Sequence, residues 1–162
     1  MKRRLPWWGW TLAGCGGLAL VLVLGVAAVI GWQFIPHRTD YGERCTTTLG
    51  MKCERVHPEV IARLTQMRLP AGTTVHESQY ESFQDWRVRA RFSVPADRVA
   101  EWEQSLAAYP PAGTTDCTEL TGEGTDRRCA SANDPQQPPI RTYTRVTRPD
   151  SSVLIEVEAF TT

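Results

Sequence analysis

The chain has 162 residues, with 18 basic and 18 acidic side chains, enough for one membrane segment and one compact domain and too few for several catalytic domains. Lys2, Arg3 and Arg4 supply three of the basic residues and leave 15 against 18 acidic ones. The remainder is mildly acidic, without the basic excess that nucleic-acid binding requires, so no nucleic-acid partner is expected.

Residues 1–10 are predicted to be cytoplasmic and residues 11–35 to form a transmembrane helix. From Thr11 to Trp32 there is no charge, and 22 residues at helical rise reach about 33 Å against about 30 Å of hydrocarbon. Trp7, Trp8 and Trp10 precede the run and Trp32 and Phe34 follow it, the aromatic belt of a span anchored at both interfaces. Lys2, Arg3 and Arg4 flank one end only, so the positive-inside rule places the N-terminus in the cytoplasm and the rest outside. A cleaved signal peptide would have a shorter apolar region ending in small residues. Leu12-Ala13-Gly14-Cys15 matches the motif before a lipidated cysteine, but most of the apolar run lies after Cys15, the wrong side for a lipoprotein signal.

Cys45, Cys53, Cys117 and Cys129 remain, an even number in a segment predicted to face an oxidising compartment, so disulfides are expected. Short loops favour Cys45 with Cys53 and Cys117 with Cys129, although spacing leaves the crossed pairings open. Zinc held by Cys45, Cys53 and His57 is the functional alternative; the chain has no Cys-x-x-Cys pair, and no metal is expected.

Residues 36–55 are polar and predicted to form a juxtamembrane stalk, and residues 56–162 an extracytoplasmic domain. Val56, Val60, Ile61, Leu64 and Met67 recur at helical spacing, with Pro58 suited to the first turn, which predicts a helix over His57 to Arg68. A weak strand follows at Thr73 to Tyr80. Trp86, Val88, Ala90, Phe92 and Val94 alternate with Arg87, Arg89, Arg91 and Ser93, the pattern of a strand buried on one face. Val99, Trp102, Leu106 and Tyr109 then mark one face of a second helix. Residues 110–139 are rich in Pro, Gly, Thr and Asp and predict a disordered or disulfide-tied loop. Strands over Arg141 to Arg148 and Ser152 to Phe160, joined by a turn at Pro149 and Asp150, close the chain. The order α-β-β-α-β-β predicts an α+β domain of two layers, an antiparallel sheet with helices on one face.

Leu69-Pro70-Ala71-Gly72-Thr73, Phe83-Gln84-Asp85-Trp86 and Val94-Pro95 lie in a stretch that resembles uncharacterised single-pass membrane-anchored proteins of high-GC Gram-positive bacteria. The resemblance covers about a quarter of the chain and implies no function.

Arg87, Arg89 and Arg91, joined by Arg145 or Arg141, predict a basic stripe suited to phosphate or carboxylate oxygens. Glu156 and Glu158 on a neighbouring strand would turn the same residues into cross-strand ion pairs on a solvated face. Asp116, Glu119, Glu123 and Asp126 crowd the Gly-rich loop, but in no calcium-binding order. His76 with Glu77 or Asp85 is the one acid–base pair that can be drawn; no nucleophile elbow, metalloprotease motif, phosphate loop or dinucleotide fingerprint is present. The chain is therefore expected to be a non-catalytic envelope protein without cofactor, its partners the bilayer and an envelope protein or anionic cell-wall component. A membrane-tethered hydrolase of unrecognised type is the alternative.

Overall fold

The computed structural model describes residues 8–107, 124–132 and 139–161. They fall into two units, one ending at Ile35 and one spanning Pro36–Thr162.

The first unit is α1, Trp8–Gln33, about 39 Å long at helical rise. Its side chains are described only over 20–32, and there they are apolar and exposed on every side, from Leu20 to Trp32. Among the described residues no helix is long and apolar enough to cross a membrane.

The second unit is an α+β domain with one antiparallel sheet of seven strands: β1 Gly42–Thr46, β2 Met51–Val56, β3 Thr74–Ser82, β4 Trp86–Val94, β5 Thr125–Ala132, β6 Ile140–Thr147 and β7 Val153–Phe160. Their spatial order is β1-β2-β3-β4-β7-β6-β5. Two helices, α2 Pro58–Thr65 and α3 Val99–Leu106, complete it, α3 being preceded by a 3-10 turn at Ala96–Arg98.

β4 has the predicted bounds because its alternation is strict: Val88, Ala90, Phe92 and Val94 are buried while Arg87 and Arg89 are exposed. Burying Val88, Phe92 and Val94 contributes about 1.5–3 kcal/mol each, and a slip of one residue would turn all of them to water. α2 starts at Pro58, where the ring costs no hydrogen bond. Val56 and Ile61 flank that start and are both buried, as expected of a hydrophobic staple. α3 is held by Trp102, fully buried and edge-on to Tyr143 of β6, with ring centroids 5.8 Å apart.

Three strands were not expected. Residues 42–56 do not form a stalk; they hold β1 and β2, β1 pairing with β2 and β2 with β3. The segment before them is also tied in, by paired hydrogen bonds between His37 and Cys45 and by the amide of His57 donating to Tyr41 O. β5 likewise forms inside the stretch predicted as loop and pairs with β6; the rest of that loop lies outside the described residues. The predicted α-β-β-α-β-β order is thereby corrected to β-β-α-β-β-α-β-β-β. The first domain helix stops at Thr65 rather than Arg68, because Gln66 turns into the left-handed region at φ 52.

Candidate functional site

The helices cover one face of the sheet. On the other face the register sets out charged residues in rows that cross the strands. Arg44 of β1 lies opposite Glu54 of β2, Glu54 opposite Gln79, Gln79 opposite Arg89, Arg89 opposite Glu158 and Glu158 opposite Thr142. A second row runs through Lys52, Glu81, Arg87 and Phe160, and a third through Glu77, Arg91, Glu156 and Thr144.

These neighbours pair. Arg87 Nε and Arg89 Nε sit 3.1 Å and 3.0 Å from the same Glu158 oxygen. Lys52 Nζ is 3.0 Å from Glu81 and Arg44 is 3.7 Å from Glu54. Arg91 lies between Glu77 and Glu156 in register without an ion pair to any described residue. The rows hold Arg44, Lys52, Arg87, Arg89 and Arg91 against Glu54, Glu77, Glu81, Glu156 and Glu158, so the face is balanced in charge. Such pairs are each worth less than about 1 kcal/mol in a solvated setting. Glu158→Gln is therefore expected to change the unfolding free energy by less than about 1 kcal/mol, although two arginines share its carboxylate. A larger loss in a urea melt would show that this face is not solvated.

Arg145 does not join the stripe. Strand alternation puts Arg145, opposite Ile155, on the helix-covered face. Its guanidinium reaches Glu103 of α3 and Asp126 of β5, tying a helix and an edge strand to β6. The guanidinium of Arg128, hydrogen-bonded to Asp126, and that of Arg145 hold the Asp126 carboxyl below its ordinary range. Asp126 is thereby occupied with arginine; Asp116, Glu119 and Glu123 lie outside the described residues.

Arg141, the other candidate for the stripe, is fully buried on the same covered face, opposite Ala159. Its Nη1 donates to Thr65 O at 2.9 Å and to Gln66 O at 3.4 Å, two carbonyls at the end of α2 where no further helical N–H arrives. The guanidinium also meets the negative end of the helix dipole. An arginine at an inward position of an alternating strand, Arg141 with Tyr143, is the only sign of this in the sequence.

Cys45 and Cys53 form a disulfide across β1 and β2, with Cα atoms 4.0 Å apart. Both sulfurs are therefore bonded to each other and unavailable as zinc thiolates, while His57 Nε2 lies 3.3 Å from Thr39 O. Cys129 is also disulfide-bonded; Cys117 lies outside the described residues. Among the described residues no cluster of three or more His, Cys, Asp or Glu could hold a metal ion.

His76 does not meet Glu77 or Asp85 as an acid–base pair. It sits at an irregularity in β3, between Val75 and Glu77, and its Nε2 is 2.6 Å from Ser93 Oγ on β4. Activation of a serine needs a third group to orient the imidazole and a cavity for the acyl substrate. His76 is exposed at a depression of about 360 Å³ lined also by Glu77, Arg89, Arg91 and Glu156; among the described residues its ring bonds Ser93, a contact that ties β3 to β4 across the bulge.

No protein-family model matches this chain, and neither a curated protein nor a solved structure is significantly similar to it.

Proposed function

We propose that the chain is a membrane-anchored, extracytoplasmic interaction module: α1 is the anchor, the basic N-terminus is cytoplasmic and the sheet domain lies outside. The observation that carries this reading is the character of α1, a helix of 26 residues whose described side chains are apolar and exposed all round. A helix hydrophobic on every side needs an apolar environment, and the uncharged run from Thr11 to Trp32 in the sequence is of the length that a bilayer accommodates. The Cys45–Cys53 bridge supports the orientation, since structural disulfides persist in oxidising compartments. The interaction role rests on the part of that sheet face that is open over β2, β3 and β4, where Lys52, Glu54, Glu77, Gln79, Glu81, Arg87 and Arg89 are exposed. Its arginines are already opposed by glutamates, which favours a protein partner of mixed charge over an anionic polymer.

Membranes isolated from cells making the full chain and washed with alkaline carbonate provide the test. The chain is expected in the pellet, with its disulfide cysteines open to a membrane-impermeant maleimide on intact cells only after reduction. Recovery in the wash would overturn the anchor, and labelling only after lysis would overturn the orientation. Cross-linking in the same membranes should capture a protein through the uncovered face, and Arg87→Glu, Arg89→Glu and Arg91→Glu together should abolish that product.

A further inference from the structure

Both hairpin tips on the β1–β2–β3–β4 side of the domain emerge at one end of the sheet. The turn between β1 and β2 carries Leu49, 85% exposed, and the turn between β3 and β4 carries Phe83, 74% exposed. They are held together: Met51 and Ser82 are register partners, and a Cβ on Gly50, whose φ is +112, would fall 2.3 Å from Ser82 O. Only glycine permits so close an approach in that conformation. Between them lies a shallow depression of about 400 Å³ lined by Met51, Trp86 and Phe160 together with the charged Lys52, Glu81, Asp85 and Arg87. Two large apolar residues thus project from adjacent tips with no described side chain over them.

The chain enters the domain at this same end. His37 pairs antiparallel with Cys45, so Pro36 falls beside Thr46, and the two line one hollow together with Lys52. From Trp32, at the outer edge of the apolar run, to His37 is five residues, at most about 18 Å of extended chain. Hydrogen bonds from the amides of Phe34 and Ile35 to Gly31 O and Trp32 O shorten that reach further.

We infer that Leu49 and Phe83 seat in the outer interface of the bilayer, so that the domain rests on the membrane by its hairpin tips. The inference deepens the proposed function and rests on α1 being the anchor. A tether this short holds the entry end of the domain within reach of the headgroup layer, where an aromatic and an aliphatic side chain find a favourable apolar boundary. The occupant of the depression is then lipid, and neither a second copy nor a soluble partner is required.

The test places a photo-cross-linking amino acid at Leu49, at Phe83 or, as control, at Asp150 in the turn between β6 and β7 at the opposite end. The full chain is reconstituted in vesicles of phosphatidylethanolamine and phosphatidylglycerol. Lipid adducts are expected at the first two positions and not at the third. Adducts at all three positions, protein adducts at Leu49 and Phe83, or none at either tip in a chain that resists carbonate would overturn the inference while leaving the anchor intact. Loss of the chain from the vesicles on carbonate washing would instead mark failure of the anchor itself, and the inference would fall with it.

Discussion

Arg141→Ala is expected to destabilise the domain by about 3–4 kcal/mol, the largest effect of any single substitution considered. Two contributions add. Hydrogen bonds from a charged donor are worth about 1.5–3 kcal/mol and leave desolvated carbonyls behind when removed, and here the acceptors are Thr65 O and Gln66 O. Truncating a fully buried side chain of this size also leaves a cavity whose lining loses its contacts. Arg141→Met separates them, since methionine refills much of the volume and restores none of the bonds. Thermal unfolding of the detergent-solubilised full chain, followed by near-ultraviolet circular dichroism to which buried Trp102 contributes, should show a fall of roughly 10 °C for alanine. Methionine should recover the packing share only. Full recovery by methionine would mean that the guanidinium does not cap α2.

This arginine also marks where sequence reasoning stops. A charged residue on an alternating strand is ordinarily assigned to water, and Arg141 and Arg145 were grouped with the exposed arginines of β4 on that expectation. Their faces depend on which residue of β6 lies opposite which of β7, and register is a tertiary quantity. β4 was legible because its own pattern is complete, five apolar residues alternating with four polar ones. β1 and β2 were not: Gly42, Cys45, Cys53 and Val56 are buried at spacings of three, not two, and in β2 the alternation breaks where Arg55 adopts φ 54. Ser78 compensates there, accepting from the Val56 amide at 2.8 Å after the backbone ladder of β2 and β3 has ended at Glu54 and Gln79. β5 was hidden by composition, since Thr125-Asp126-Arg127-Arg128 reads as loop and gains strand structure only by pairing with β6. The short bridge from Cys45 to Cys53 was favoured by spacing, whereas the geometry that makes it cross-strand was not available from spacing.

Replacing both Cys45 and Cys53 by alanine is expected to lower stability by about 2.5 kcal/mol, and the loss should concentrate at one edge of the sheet. The separation of 8 residues gives that figure in the chain-entropy account, in which the bridge acts by restricting the unfolded chain. The location follows from topology. β1 is the last strand on its side and its ladder partner is β2, so the bridge and the His37 hydrogen bonds are what resist fraying. Cys45 and Cys53 are almost wholly buried, and the Thr39 hydroxyl lies 2.9 Å from the Cys45 sulfur, so reduction also loosens the entry of the chain at Pro36 to Tyr41. Hydrogen exchange read by mass spectrometry should show faster exchange over 37–46 in the double variant, with β4 and β7 unchanged at matched stability. Reduction of the wild-type chain should reproduce the pattern. Uniform acceleration across the sheet would mean that the bridge supports the core as a whole, and no change at 37–46 would mean that backbone pairing alone holds the edge. The first pattern ties fold to compartment: in a reducing environment the segment joining α1 to the domain would be the first to open, so the short tether stays short only where the disulfide survives.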